Sequence, residues 1–202
     1  KNDGTLVARQ VRVFFNSGAY GGFKPAPGVN LGGAAKTGGP YRIPHVQIEA
    51  LQVYTNTVPG GFMRAPGEPQ GVFAGESQMD CVAQQLGMDP LEFRLKNVMR
   101  DGDENPLGAS YADIKALETL EAAVSASGYS TPKAPNVGRG LAMGDRPAAG
   151  GESHASVTLS ADGSILVHTS IFEPGTGTYT LLQKIVAEEL DVPLSQVKVQ
   201  VW

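Results

Sequence analysis

Leu6 to Phe15 reads as a strand, and hydrophobic and polar residues alternate from Val46 to Thr55, where Val46, Ile48, Ala50 and Gln52 share one face. Both stretches predict half-buried strands. The period then changes. From Pro69, a residue suited to the first helical position, Val72, Glu76, Met79, Ala83 and Leu86 recur at helical spacing. One member of that apolar stripe is a carboxylate, which must be paired, hydrogen-bonded or neutralised once buried. The plainer expectation for Glu76 is a structural anchor for the backbone of a neighbouring loop, ahead of a catalytic role. A second helix is predicted from Asp89 as N-cap, with Pro90 next and Glu92 near the capping-box position, and Leu91 and Leu95 as its apolar side. A third runs from Ser110 and Asp113 through Ile114, Leu117, Leu120 and Val124 to a stop at Gly128. Residues 130–137 read as a linker, with a strand near Leu141. Val157 and Leu159, then Ile165 and Val167, flank Asp162-Gly163, which is a hairpin signal. Leu182, Ile185, Val186 and Leu190 mark a last helix, and Val197 to Val201 alternates as a strand. The fold class is α+β, with strands and helices mixed and a division expected between residues 1–133 and 134–202.

Glycine breaks these elements apart. Residues 17–40 are so dense in glycine and proline that no regular element is expected. The segment reads either as a surface loop or as one ordered only against a cofactor or a missing chain. Gly60-Gly61-Phe62-Met63-Arg64-Ala65-Pro66-Gly67 sets a lone arginine among glycines and prolines just before a helix. A guanidinium, unshielded backbone N–H groups and a positive helix end suit an anionic ligand. A second glycine turn, Glu173-Pro174-Gly175-Thr176-Gly177-Thr178, joins a strand to a helix. Pterin, phosphate or pyrophosphate would fit it, and so would an ordinary capped turn without a ligand. Gly32 to Thr37 only echoes a phosphate-binding loop, and Gly138-Arg139-Gly140 only echoes a dinucleotide fingerprint; the glycine spacing is wrong in both.

Composition narrows the partners. The net charge of −4 without a basic run argues against nucleic acid. No apolar run is long enough to span a membrane. A single cysteine, Cys81, leaves no internal disulfide and no cysteine-ligated cluster. His45, His154 and His168 are scattered, so structural roles are expected and no metal ligands are assigned. The chain starts at Lys1 in a turn and stops within a strand, so a fragment of a larger polypeptide is expected, in the cytoplasm or the periplasm.

The order of several motifs resembles the molybdopterin-binding large subunit of the xanthine dehydrogenase/aldehyde oxidase family, the molybdenum hydroxylases. The resemblance rests on Asp3-Gly4, Ser17-Gly18-Ala19-Tyr20, Gly39-Pro40-Tyr41-Arg42-Ile43-Pro44 and Val53-Tyr54-Thr55-Asn56. Its most specific part is Arg64 to Gln70 with Glu76, Met79-Asp80 and Leu86-Gly87-Met88-Asp89-Pro90, followed by Gly138-Arg139-Gly140 and the Gly175-Thr176-Gly177 turn. It implies an internal fragment with a first molybdopterin-binding region in 1–133 and the start of a second in 134–202. It implies cofactor contacts from Phe62, Met63, Arg64, Pro174, Gly175 and Thr176, to molybdopterin, in its cytosine dinucleotide form in many members, carrying molybdenum. The parent would hydroxylate an aldehyde or an N-heterocycle with water-derived oxygen, passing electrons to iron–sulfur and flavin partners.

Some positions depart from the family. Xanthine-oxidising members carry Phe-Arg-Gly-Phe-Gly where this chain has Met63-Arg64-Ala65-Pro66-Gly67, and Pro66 cannot stack on a flat purine. Many members carry Gly-Gln-Gly where this chain has Gly175-Thr176-Gly177. Both differences look like the bacterial aldehyde-oxidising branch. The family's catalytic glutamate lies in a C-terminal motif absent here; Glu76, Glu173 and Glu188 do not match it, so no catalytic residue is assigned. The isolated fragment is expected to be inactive and without cofactor. The alternative is a non-catalytic folded scaffold whose exposed former interfaces promote homo-oligomers; a weaker one is a phosphate- or nucleotide-binding protein using the two turns independently.

Overall fold

A computed structural model describes residues 1–20, 32–61, 64–105, 108–145 and 152–201. It separates into two compact units, Lys1–Arg146 and Pro147–Trp202.

The first unit is built on β1 (Ala8–Gly18) and β2 (His45–Tyr54), paired in parallel from Ala8 opposite His45 onward, with a register shift between Asn16 and Gly18. Between them come a one-turn helix α1 (Gly32–Ala35) and a 3-10 turn (Lys36–Gly38). This corrects the expectation that residues 17–40 hold no regular element; residues 21–31 lie outside the described residues. The long helix α2 (Glu68–Leu86) follows, then α3 (Pro90–Asn97) and α4 (Ala116–Ser127). Asp89 caps α3 as its sequence requires, accepting from the backbone N–H of Leu91 at 2.8 Å and of Glu92 at 3.2 Å. Helix α4 begins later than the sequence pattern suggests. Asp113 sits at φ 56, outside helical geometry, and the Ile114 N–H is held instead by the Asp101 carboxylate at 2.7 Å. The core joins Tyr41, Ile43, Met79, Ala83 and Phe93, with Leu6, Val82, Leu86, Met88 and Met143 packed around it.

Glycines on α2 decide how closely its neighbour approaches. Gly67, Gly71 and Gly75 recur at four-residue spacing. A Cβ on Gly71 would lie 2.1 Å from the Gly33 carbonyl oxygen, one on Gly75 2.7 Å from that of Thr37, and one on Gly33 2.1 Å from the Gly67 carbonyl carbon. Residues 33–37 therefore lie backbone-to-backbone on the helix, which no side chain would permit. Arg9 of β1 closes the contact from beneath. Its buried guanidinium donates to the carbonyls of Thr37 at 2.5 Å and Gly38 at 3.2 Å, and to Met79 Sδ at 3.1 Å.

No strand forms near Leu141. Residues 138–145 take no regular secondary structure within the first unit: the Met143 N–H donates to a side chain of α2, and Asp145 accepts from Lys36 at 2.9 Å. The backbone thus finds its partners outside any sheet.

In the second unit, β3 (Ala155–Leu159) and β4 (Ile165–Thr169) form the antiparallel hairpin around Asp162-Gly163, and β4 pairs in parallel with β5 (Val197–Val201). Helix α5 (Thr178–Glu189) makes the crossover that a parallel pair needs. Ile165, Val167, Ala187 and Val197 form its core. Of the residues marking the face of α5, Val186 packs there, whereas Ile185 is 48% and Leu190 39% exposed.

Alanine normally stabilises a helix by ~0.5–1 kcal/mol over glycine. At Gly71 the sign should reverse, because the new methyl would meet immovable backbone. We expect Gly71→Ala to destabilise the first unit by about 1–3 kcal/mol, and Gly32→Ala, which meets open space, to be neutral or stabilising. Thermal unfolding of both variants checks this; a stabilised Gly71→Ala would refute the close approach.

Candidate cofactor-binding site

Arg64 stands where the chain enters α2. Arg64 at φ 30 and Ala65 at φ 47 are consecutive non-glycine residues in the left-handed region, followed by Gly67 at φ 81. Such residues cost of order 1–3 kcal/mol each and persist only where surrounding structure enforces them. Here the Glu68 N–H bonds the Ala65 carbonyl at 3.0 Å, the Gly71 N–H bonds that of Gly67 at 3.0 Å, and Gly33 presses on Gly67. The Arg64 side chain is exposed, and among the described residues it has no ion-pair or hydrogen-bond partner. A fixed backbone thus carries an unspent guanidinium at the start of a 19-residue helix. Phe62 and Met63 lie outside the described residues.

Further along α2, the Glu76 carboxylate is 6% exposed and fully engaged. Its Oε1 accepts from Tyr41 Oη at 2.8 Å; its Oε2 accepts from Arg94 Nε at 3.0 Å and from the Met143 N–H at 2.8 Å. It anchors a loop backbone, as its place in an apolar stripe suggests. Arg94, fully buried, also donates to Asp80 at 2.7 Å and to the carbonyls of Pro90 and Glu76. Burial lowers the tendency of Arg94 to stay charged, but Asp80, Tyr41 and Glu76 outweigh it and keep it cationic. Sequence reasoning missed both Arg94 and Arg9. Their signal is an arginine within an apolar pattern, which demands a partner just as Glu76 does.

The second predicted turn belongs to the second unit. Pro174, Gly175 and Thr176 are exposed. Gly175 and Gly177 take φ 95 and 83 and turn their N–H groups inward. These groups already have an acceptor, the carboxylate of Glu173. Its Oε1 accepts from the backbone N–H of Gly175, Thr176 and Gly177, and its Oε2 from that of Tyr179. Partial desolvation pushes this carboxyl upward, but hydrogen bonds from Gly177, Gly175, Tyr179 and Thr176 outweigh it and hold it below the usual carboxylate range. The Thr176 and Thr178 hydroxyls face each other at 2.9 Å.

Other candidates remain peripheral. Cys81 is exposed. His154 is exposed beside Glu152, and among the described residues no cluster of acidic, histidine or cysteine side chains could hold a metal. No described helix is long and apolar enough to cross a membrane.

Comparison with known proteins supplies the class of this mixed α+β scaffold, that of a cofactor-binding subunit. Two family profiles, each described as a molybdopterin cofactor-binding domain, match residues 1–98 and 110–201. The chain is 36% identical over 191 residues to an aldehyde oxidoreductase of Megalodesulfovibrio gigas, covering 88% of this chain and 20% of that protein. It is 32% identical over 213 residues to a xanthine dehydrogenase molybdenum-binding subunit of Escherichia coli O157:H7, covering 98% of this chain and 28% of that protein. The solved aldehyde oxidoreductase from Desulfovibrio gigas superposes with a TM-score of 0.70 at 30% identity, over 99% of this chain and 23% of that one. The chain belongs to the molybdopterin-binding large-subunit family of the xanthine dehydrogenases and aldehyde oxidases. It spans between a fifth and just over a quarter of the length of these relatives.

Burial, then the charge of Glu76, raises the Tyr41 hydroxyl far above its ordinary value near 10, so it stays protonated and donates. A raised folded-state pKa contributes stability that is complete below the unfolded value and declines above it. The first unit should therefore lose stability as pH rises above about 10. Tyr41→Phe should be about 1–2 kcal/mol less stable at neutral pH and flatter in alkali. Denaturant midpoints against pH for the two proteins check this, and parallel curves would contradict it.

Proposed function

We propose that this chain is a cofactor-contacting part of a molybdenum hydroxylase large subunit, and that Arg64 is its main polar contact to molybdopterin. The observation carrying this reading is the Arg64 turn itself: a strained backbone, fixed by backbone contact with residues 33–37, that presents a guanidinium with no partner among the described residues. An unspent charge held in place suits an anionic group on the ligand better than any internal role. Thr176, with Pro174 and Gly175 framing it, supplies a second contact, and Phe62 and Met63 flank Arg64 in sequence. Taken by itself, the first unit offers one guanidinium and the second a pair of hydroxyls, groups whose chemistry suits such a cofactor.

When bound, the molybdenum centre supplies the redox chemistry, while this chain contributes placement and charge. The parent enzyme oxidises an aldehyde or an N-heterocycle by hydroxylation. The aldehyde is favoured, because half-buried Pro66 stands where purine-oxidising members carry a stacking aromatic ring. The cofactor bears a cytosine dinucleotide tail, and electrons leave through iron–sulfur and flavin subunits or domains in the cytoplasm. The chain on its own is inactive, since no residue in it acts as the base.

Purified molybdopterin added at about 100 times its Kd should stabilise the chain by about 2.7 kcal/mol. Arg64→Ala should abolish most of that gain while leaving the unliganded melting temperature unchanged. A wild-type melting temperature unmoved by molybdopterin would leave the scaffold reading in its place, and a response to ATP alone would point to a nucleotide-binding protein.

A further inference from the structure

We infer that Glu173 is the resident anion of the second glycine turn: it closes the backbone N–H groups of Gly175, Thr176, Gly177 and Tyr179 to phosphate-like ligands and leaves the Thr176 and Thr178 hydroxyls to meet an uncharged hydrogen-bonding edge, such as the pterin ring. The second half of this inference rests on the cofactor reading above; the first half stands without it.

A strand-to-helix turn rich in glycine is ordinarily an anion site, because the first N–H groups of the helix lack internal acceptors and the helix end is positive. In this turn four of those N–H groups are already taken from within. Pro174 contributes no N–H, so the available donors begin at Gly175. Gly175, Thr176, Gly177 and Tyr179 all deliver theirs to the two oxygens of one carboxylate. Among the described residues no side-chain cation pairs with Glu173; its charge is balanced by backbone N–H groups alone. A phosphate or pyrophosphate arriving here would have to expel a carboxylate from four hydrogen bonds or approach it at contact distance, and like charge opposes both.

The groups that still face outward are different in kind. Thr176 Oγ1 and Thr178 Oγ1 share one hydrogen bond at 2.9 Å. When either hydroxyl donates to the other, the pair keeps one O–H to give and lone pairs to receive. That is a match for a neutral edge carrying both an acceptor and a donor, and a poor one for a multiply charged group. Glu173 is thus a positioning residue. It fixes the left-handed glycines that aim the two threonines, and it sets which part of a ligand this turn accepts.

The probe for the first half is inorganic phosphate, read by backbone amide resonances of the complete chain. In the wild type the amides of Gly175, Thr176, Gly177 and Tyr179 should not respond to millimolar phosphate. In Glu173→Ala they should shift position without ligand and then respond to phosphate at about tenfold lower concentration or better, the equivalent of freeing one charged hydrogen-bonding site. Resonances of β3 to β5 report whether the variant has folded, and Glu173→Gln, which keeps the side-chain shape, serves if alanine unfolds the turn. Wild-type amides that respond to millimolar phosphate overturn the inference without reference to any variant, as do amides unchanged by both substitutions.

The second half is read with molybdopterin. Thr176→Val should weaken binding about tenfold, the effect of one lost hydrogen bond, whereas Thr176→Ser should bind as the wild type does. Equal binding by Thr176→Val overturns it. Failure of the wild-type chain to bind molybdopterin would remove the proposed function and this half together, while the phosphate comparison would still decide the role of Glu173.

Discussion

The first unit is organised around one carboxylate placed where an apolar residue would ordinarily stand. Glu76 interrupts the buried face of α2, and an ionised group there must be satisfied completely or it destabilises the fold by several kcal/mol. The chain answers from three distant places: Tyr41 before β2, Arg94 in α3 and the backbone N–H of Met143. Each partner fixes a different segment relative to α2. Arg94 then reaches Asp80, one turn along the same helix, so the α2–α3 pairing is set by a fork of hydrogen bonds as well as by the packing of Phe93 against Ala83 and Met79. Apolar residues of equal volume could give similar stability. What the charged arrangement adds is direction, since each hydrogen bond ties a named atom of Glu76 to one segment.

The position of α2 in turn dictates the site. The helix begins at the Arg64 turn, so whatever fixes the helix fixes the guanidinium. On an adjoining stripe, Gly67, Gly71 and Gly75 let residues 33–37 settle onto the helix backbone, and Arg9 secures the same segment through the carbonyls of Thr37 and Gly38. Burial depresses the pKa of Arg9, offset in part by the nearby Tyr41 and Glu76, so this clamp is electrostatically tied to the same centre. The strained pair Arg64 and Ala65 is tolerated because the Glu68 N–H holds the Ala65 carbonyl and Gly67, just beyond, is pressed by Gly33 on the glycine stripe. Charge, close backbone approach and strain thus act in series, from the buried carboxylate to the exposed arginine.

Much of this was legible in the sequence wherever a periodic pattern met a local cap. The strands of the first unit, the Asp89 cap, the Asp162-Gly163 hairpin and the crossover helix of the second unit all carry their signals within a few residues. The need to satisfy Glu76 was legible too, and so was one kind of partner, a loop backbone. Its side-chain partners were not, since Tyr41 and Arg94 are brought there by tertiary packing. The strand expected near Leu141 failed for a related reason: its backbone bonds to a glutamate side chain and not to a neighbouring strand. At α4, the left-handed Asp113 and the Asp101 side chain displaced the helix start expected at Ser110. The turn at Gly175 and Gly177 was recognised as an anion-suited geometry, but its own glutamate, two residues before the first glycine, was the clue that the geometry was already filled.

Helix α2 and its buried carboxylate are proposed to hold Arg64 ready for a molybdopterin anion, and a crystal structure of the chain grown with molybdopterin tests this most directly. The Arg64 guanidinium should then lie within hydrogen-bonding distance of the cofactor, with Arg64, Ala65 and Gly67 keeping their left-handed backbone. A cofactor seated away from Arg64, or a turn that rebuilds itself to receive it, would contradict the account.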